Sequence, residues 1–303
     1  MTPRKLMGRR PDMERIEEVA DLRRVLAPVR ADGRRIGLVP TMGALHRGHL
    51  SHVPLLLAHA DLVVMSVFVN PLQFGPGEDF ERYPRSLEDD AKLAEEAGVD
   101  LLFYPQVTTL YPPGSETLVE LPELSSQLEG AVRPTHFRGV ATVVAKLLNI
   151  VRPDLASFGQ KDLQQLLVVR RMVSDLHFDV QILAVPTARE PDGLALSSRN
   201  AYLGADDRRE AAALNRACRA GFDAVAAGER ESSRVEAVMA EVLNGFPRVR
   251  PDYAVVRRLD DLKPMTVVSG RAAVLVAARV GSTRLLDNLV MDVTPDEVRE
   301  ISG

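Results

Sequence analysis

His46 and His49 lie three residues apart with Gly48 between them, after an apolar run and a turn with proline and glycine: Ile36-Gly37-Leu38-Val39-Pro40-Thr41-Met42-Gly43-Ala44-Leu45-His46-Arg47-Gly48-His49. A strand that feeds a helix through such a turn suits an anion. The first helical turn has backbone N–H groups without intrahelical partners and a partial positive charge. Positions i and i+3 share a helix face, so both imidazoles can aim at one phosphate. Gly48 removes a side chain that would crowd the ligand. The same residues also fit a plain strand and turn with two incidental histidines. His52 repeats the i, i+3 spacing from His49 and raises the question of metal chelation. Against it, His46 and His52 do not share a face, and no cysteine or HExxH-type carboxylate joins them.

Two further stretches offer donors for phosphate. In Phe158-Gly159-Gln160-Lys161-Asp162-Leu163-Gln164-Gln165 a strand ends at glycine and a helix begins with lysine. Lysine there opposes the helix dipole, and a bound anion would reverse the sign. The chain is poor in lysine and uses arginine instead, so Lys161 is hard to dismiss as generic surface charge. In Leu196-Ser197-Ser198-Arg199-Asn200, two hydroxyls and a guanidinium can clamp a phosphate or cap the next helix. The nearly continuous apolar run 61–69 ends at Asn70-Pro71-Leu72-Gln73-Phe74. Polar side chains past the carboxyl end of a buried strand lie where open α/β sheets take ligands, which makes Asn70 and Gln73 candidates. Asn70-Pro71 also suits a simple turn. Glu88, Asp89 and Asp90 sit in the first turn of a helix over 86–98, where carboxylates complement the dipole.

The elements that must position these residues follow from periodicity. Ile16, Val19, Leu22, Val25 and Leu26 predict a helix over 13–29. Strands are expected at 36–39, 61–69, 100–104, 154–158 and 180–185, with a short one at 117–121. Helices are expected at 48–59, bent or shortened by Pro54, at 86–98 and at 136–150. An irregular polar loop, 128–138, carries Glu129, Arg133, His136 and Arg138. The alternation implies an α/β protein with a Rossmann-like doubly wound parallel sheet over 1–187, residues 1–12 being a flexible tail. From 188 to 303 the pattern changes to a smaller α+β C-terminal domain: Ala-rich helices at 206–228 and 232–245, then strands near 252–257, 272–279 and 288–293.

With 303 residues, 46% hydrophobic and 26% charged, the chain can build substantial cores. The formal charge of −4 gives no global reason to expect nucleic acid. The one cysteine, Cys218, rules out an internal disulfide framework and is expected to be buried or inert. No apolar run reaches the length of a membrane span, and the basic start is not followed by the apolar core of a signal peptide; no membrane partner is expected, and the cytoplasm is the expected location.

Taken in order, PTMGALHRGH (40–49), VFVNPLQF (67–74), GQKDLQQ (159–165) and LSSRN (196–200), with a weaker match in TRLLDN (283–288), resemble the pantothenate synthetases, or pantoate–β-alanine ligases, a family of HxGH nucleotidyltransferases. The resemblance spans 36–202. HRGH stands for the HxGH signature and LSSR for the mobile KMSKS loop. It implies an acid–amine ligase in which the pantoate carboxylate attacks the α-phosphate of ATP, and the amine of β-alanine then attacks the acyl adenylate. It assigns ATP contacts to Met42, Gly43, Ala44, Leu45, His46, Arg47, Gly48 and His49, to Gly159, Gln160, Lys161 and Asp162, to Ala188, and to Leu196, Ser197, Ser198 and Arg199. His46, His49, Lys161 and Arg199 would be catalytic, His49 as proton donor. Gln73 would meet pantoate and β-alanine, Gln165 pantoate, with Asn70 beside them. Asp89 and Asp90 match carboxylates near Mg²⁺ or β-alanine. Mg²⁺ and a homodimer are further implications. Gln160 stands where glutamate is frequent, Leu163 where an aromatic is frequent and Leu196 where some members have methionine; none of these removes a phosphate donor. Other readings are an HxGH adenylyltransferase acting on a phosphate acceptor, which would want an extra basic cluster where this chain has glutamines, and a non-catalytic nucleotide-binding protein on the same scaffold.

Overall fold

The structure, a computed structural model, describes residues 12–78 and 80–302. The expected flexible tail 1–12 falls outside them except for Asp12. The chain divides into two compact units, Met1–Phe158 with Val168–Val185, and Gly159–Leu167 with Pro186–Gly303.

The first unit is built on a six-stranded sheet of order β1-β4-β3-β2-β5-β6: β1 (Glu14–Ile16), β2 (Ile36–Thr41), β3 (Leu62–Val67), β4 (Leu101–Phe103), β5 (Leu155–Gly159) and β6 (Gln181–Val185). The ladders β1/β4, β3/β4, β2/β3 and β2/β5 are parallel. The central strands are buried along almost their whole length, which is why they read as unbroken apolar runs. The helices are α1 (Val19–Ala31), α2 (Arg47–Leu50), α3 (His52–Leu57), α4 (Leu87–Ala97), α5 (Val107–Leu110), α6 (Pro122–Ser125), α7 (Glu129–Val132), α8 (His136–Val151) and, from Val168 on, α9 (Leu163–Asp175), whose first five residues belong to the second unit. Val53 and Leu56 of α3 and Ala91 and Ala94 of α4 form one core with Val39, Val63, Met65 and Leu102. Strand order reverses between β2 and β5, so the carboxyl end of β2 lies at the switch point of the sheet, where such folds bind ligands. Pairing of β2 with β5 covers Gly37 and Leu38 only. Pro40, which has no N–H to give, falls beyond it.

Several expectations need correction. The helix expected over 13–29 is a strand followed by a helix, because Glu14–Ile16 pair with Leu101–Phe103 at the sheet edge. The helix expected over 48–59 is two, α2 and α3, parted at Ser51. That accounts for Pro54. It is the third residue of α3, in the first turn, where a backbone N–H has no intrahelical acceptor in any case. Residues 117–121 form no strand; the Val119 N–H goes to Thr142 Oγ1 at 3.0 Å. The loop 128–138 contains the short helix α7.

The second unit holds α10 (Ala205–Ala211), α11 (Ala213–Ala226) and α12 (Ser232–Asn244), with an antiparallel sheet of order β10-β9-β8-β7: β7 (Val249–Arg258), β8 (Gly270–Val280), β9 (Thr283–Val293) and β10 (Val298–Glu300). The helix expected over 206–228 is thus two, β9 begins earlier than expected, and β10 has no counterpart among the expected strands. Alternate residues of β9 (Leu285, Leu289, Met291, Val293) join Leu214, Ala217 and Cys218 of α11 and Val235 and Met239 of α12 in one core. Cys218 is buried there, which pushes its thiol pKa up and keeps it protonated.

Candidate active site

In the first unit, the chain leaves β2 through a turn that only special backbone geometry allows. Gly43 has φ +83°, and a Cβ there would lie 2.7 Å from Asp90 Oδ2. Ala44 also has positive φ. Asp90 sits buried on α4 and accepts the N–H groups of Ala44 at 3.0 Å and Leu45 at 2.7 Å. Burial raises its pKa, and the two N–H bonds oppose that shift. The buried carboxylate is thus engaged in holding the turn. Asp89 is exposed and accepts from Ser86 Oγ. Among the described residues, no group of three or more His, Cys, Asp or Glu could hold a metal ion.

The turn delivers His46 to the N-cap of α2. Its Nδ1 accepts the Gly48 N–H at 3.1 Å, and His49 Nδ1 accepts the His46 N–H at 3.4 Å. This is a reciprocal capping box built from two imidazoles, with ring centroids 4.1 Å apart. An imidazole nitrogen that accepts a backbone N–H carries no proton, so both neutral rings bear their proton on Nε2. The turn therefore leaves the N–H of each ring on the side away from its capping nitrogen. His52, one turn further on, is a different matter. It is buried, its Nδ1 is 3.0 Å from Ser157 Oγ, and burial depresses its pKa to about 4.

The second cluster of this unit follows β3. A 3-10 turn, Pro71–Gln73, is capped by Asn70, whose Oδ1 accepts the Leu72 N–H. Asn70 is 1% exposed and fully engaged: Nδ2 donates to Gln73 Oε1 at 3.1 Å and to Gly139 O at 3.0 Å, and Oδ1 also accepts from Tyr111 OH at 3.0 Å. Burial raises the Tyr111 pKa, keeping that hydroxyl a donor. Gln73 Nε2 donates to the Met42 sulfur. The Gln73 carbonyl accepts from His136 Nδ1 at 2.9 Å and Arg133 Nη2 at 3.2 Å, and Arg133 also pairs with Glu78, whose pKa it lowers. Gly139 lets α8 approach: a Cβ would lie 2.3 Å from Leu72 O. Asn70, Gln73 and Met42 are thus brought into one hydrogen-bonded network. Tyr111, Arg133, His136 and Gly139 join it, although in sequence 111 reads only as part of a turn and 133–136 as an irregular loop.

In the second unit, Gln160–Asp162 form a 3-10 turn at the entry to α9. Gln160 is buried, and Lys161 Nζ lies 3.5 Å from the exposed Asp162 carboxylate, a weak surface contact. Gln165 is half-buried on α9. Residues 188–196 form a hairpin. Leu196 N donates to Ala188 O at 2.9 Å, and Glu190 N to Leu194 O at 2.8 Å. Two predicted nucleotide segments, Ala188 and Leu196–Arg199, thereby become neighbours. Ser197 caps the 3-10 turn Ser198–Tyr202, its Oγ accepting the Arg199 N–H at 3.2 Å. The cap reading of Ser197 therefore holds, and it also fixes the backbone of Ser198 and Arg199.

Residues 14–290 match the family model of pantoate–β-alanine ligase. The chain belongs to that family. The ligases similar to it include a pantothenate synthetase of Moorella thermoacetica, 52% identical over 281 residues, covering 93% of this chain and 99% of the relative. The crystal structure of pantothenate synthetase from Thermus thermophilus is similar with TM-score 0.87 and 49% identity over 91% of this chain and 99% of that one. A ligase from Francisella tularensis, solved as a complex with β,γ-ATP and β-alanine, is similar with TM-score 0.74 and 30% identity over 91% and 97%. The Rossmann-like sheet and separate antiparallel unit are those of this ligase family. Its acid–amine ligation distinguishes the chain from adenylyltransferases that act on phosphate acceptors and from non-catalytic scaffolds.

Within the ligase, Asp287 and Asn288 read in sequence only as the end of a weak tail match. Both are buried on β9, where Asn288 Nδ2 donates to the Gln160 and Lys161 carbonyls and Asp287 binds Arg189. A single Asp-Asn pair on a strand has no periodicity that could flag it.

Proposed function

We propose the following roles for the residues in the ATP-dependent ligation of pantoate to β-alanine, the reaction of this family. The pantoate carboxylate oxygen attacks the α-phosphorus of ATP; a P–O bond forms, the bond to pyrophosphate breaks, and pantoyl adenylate results. The β-alanine amine then attacks the acyl carbon, loses a proton, and displaces AMP. The first step needs in-line positioning and neutralisation of growing phosphate charge rather than covalent help from the protein. His46 and His49 supply Nε2–H donors to phosphate oxygens, His49 as the proton donor. Lys161, Ser198 and Arg199 supply further donors and positive charge, and the backbones of 42–49, 159–162, Ala188 and 196–199 meet the nucleotide. Gln73 and Gln165 hold pantoate, and Gln73 also meets β-alanine. Neutral amides bind the hydroxyls and carboxylate without a cation that would blunt the nucleophile.

The observation that carries this reading is the imidazole capping box, which fixes both rings with their donors on Nε2. It is supported by the Francisella tularensis ligase, described as complexed with β,γ-ATP and β-alanine.

Asp89 and Asp90 do not fit a magnesium site, one being bound to Ser86 and the other to two backbone N–H groups. The ion is assigned instead to the triphosphate that carries it, the usual way Mg²⁺ enters nucleotide sites. The cytoplasm and a homodimer are the location and assembly implied by the family. No helix among the described residues is long and apolar enough to cross a membrane.

The test is product analysis with ATP and Mg²⁺. Pantoate alone should give a single burst of pyrophosphate, and AMP should accumulate only when β-alanine is added. Turnover of ATP that ignores pantoate would sink the reading.

A further inference from the structure

Asp287 and Asn288 are consecutive residues of β9, so their side chains leave opposite faces of the sheet. Each is only 3% exposed. On the face shared with Leu285 and Leu289, the Asp287 carboxylate is gripped by Arg189 through two bonds of 2.7 and 2.8 Å. Arg189 also donates to Gly193 O at 3.0 Å, across the hairpin that carries Ala188 and Leu196. The Asn288 N–H closes on Asp287 Oδ1 at 2.8 Å, so the two residues are themselves coupled. On the opposite face Asn288 Nδ2 donates to the carbonyls of Gln160 at 3.0 Å and Lys161 at 2.9 Å.

A buried carboxylate is costly unless a well-aligned cation meets it, and replacing such a pair by apolar residues is often neutral or stabilising. The Asn288 amide is also an expensive way to fill space, because its Oδ1 lies buried without a partner. Stability alone gives little reason for either group. What they share is their targets: one holds the 160–162 turn, the other the 188–196 hairpin.

We infer that Asp287 and Asn288 are positioning residues for the adenylating step: Asn288 sets the direction in which the turn presents Lys161, and Asp287, through Arg189, sets the hairpin that presents Ala188 and the Leu196–Arg199 segment. The inference rests on the nucleotide roles proposed above. Neither residue touches substrate; both act by fixing backbone that does. Because the Asp287 carboxylate accepts the Asn288 backbone N–H, a change at Asp287 reaches the Asn288 backbone and so both segments.

The test uses the full chain with Asn288→Ala and Asn288→Ser, each alone and combined with Lys161→Ala, and with Asp287→Asn. Three readouts separate the steps: pyrophosphate released in a single turnover from ATP and pantoate, the rate at which β-alanine consumes the bound adenylate, and the thermal midpoint. Asn288→Ala is expected to slow pyrophosphate release roughly tenfold, as loss of two hydrogen bonds implies, and to leave aminolysis unchanged. Asn288→Ser, which keeps one donor, should lose less. In the Lys161→Ala background Asn288→Ala should add little, because residues that act through one another are not additive. Asp287→Asn, of the same size, should weaken ATP binding without changing the KM for pantoate. Equal loss in both half-reactions, full additivity with Lys161→Ala, unchanged pyrophosphate release, or loss of a cooperative thermal transition in both Asn288 variants would each overturn the inference. Wild-type protein that releases no pyrophosphate would sink the functional reading instead. ATP affinity by calorimetry then decides this one, an unaltered value in Asn288→Ala counting against it.

Discussion

His49 Nδ1 accepts the backbone N–H of His46 at 3.4 Å, so the second histidine of the pair caps the helix turn that the first one opens. Nδ1 of the ring is thus spent on structure, and the phosphate role proposed above falls to Nε2. The two uses can be separated by substitution. In His49→Asn, Oδ1 takes the place of Nδ1 and keeps the cap but loses the outer donor. In His49→Gln, Nε2 takes the place of the outer donor and the cap is lost. His49→Asn should melt close to wild type and lose about 10²–10³-fold in kcat, the usual cost of one donor to a developing oxyanion. His49→Gln should keep more activity and lose about 1 kcal/mol of stability. The reverse order of activities, with turnover intact in His49→Asn, would show that the ring serves only as a cap.

Gln73 is held at one remove. Tyr111 OH donates to Asn70 Oδ1, and Asn70 Nδ2 donates to Gln73 Oε1. Tyr111→Phe removes one hydroxyl and nothing else, and Asn70 Oδ1 keeps the Leu72 N–H. The expected result is a rise of about fivefold in the KM for pantoate, equivalent to about 1 kcal/mol, with the KM for ATP unchanged. A KM for pantoate equal to wild type would remove Tyr111 from the network's function.

These two cases also show what a sequence can carry. The strands β2, β3 and β5 are readable because a parallel strand buried on both faces must be apolar throughout. The turn that pairs His46 with His49 is readable because turn glycine, helix start and i, i+3 spacing all lie within ten residues or so. By contrast, β1 hides inside a helical pattern, since three residues at a sheet edge are decided by β4 and not by their own periodicity. Residues 117–121 alternate like a strand but find no partner strand. Pro54 is disruptive only if 48–59 is a single helix. Tyr111, Gly139, Asp287 and Asn288 act across separations of 41 to 128 residues, and a contact of that kind leaves no local pattern to read.

Asp90 is the support behind the histidine turn. Removing its carboxylate in Asp90→Ala strands the buried Leu45 N–H and frees the Gly43–Ala44 backbone from its positive-φ geometry. The loss should be about 1–3 kcal/mol in stability, measurable by urea unfolding, together with weaker ATP binding. Asp90→Asn keeps an acceptor and avoids burying a charge, so it should lose clearly less of both. Should chelation of Mg²⁺ be the main role instead, Asp90→Asn and Asp90→Ala would raise the Mg²⁺ requirement alike, and added Mg²⁺ would restore activity in each.

His52 makes the first unit sensitive to acid. Its folded pKa is near 4 against an ordinary 6.5, because burial beside Ser157 disfavours the imidazolium. The unfolded chain therefore takes up the proton first as pH falls. Stability from the neutral ring is complete above about pH 6.5 and is lost progressively down to about pH 4, where the loss reaches about 3 kcal/mol. In His52→Leu the buried site no longer titrates. That variant should start less stable at pH 7, because Ser157 loses its partner, and should lose about 3 kcal/mol less than wild type on going to pH 4. Urea unfolding at pH 7, 5.5 and 4 checks this. Parallel acid limbs for the two proteins would mean that His52 takes up its proton in the folded state, and the space beside Ser157 would then be open to water.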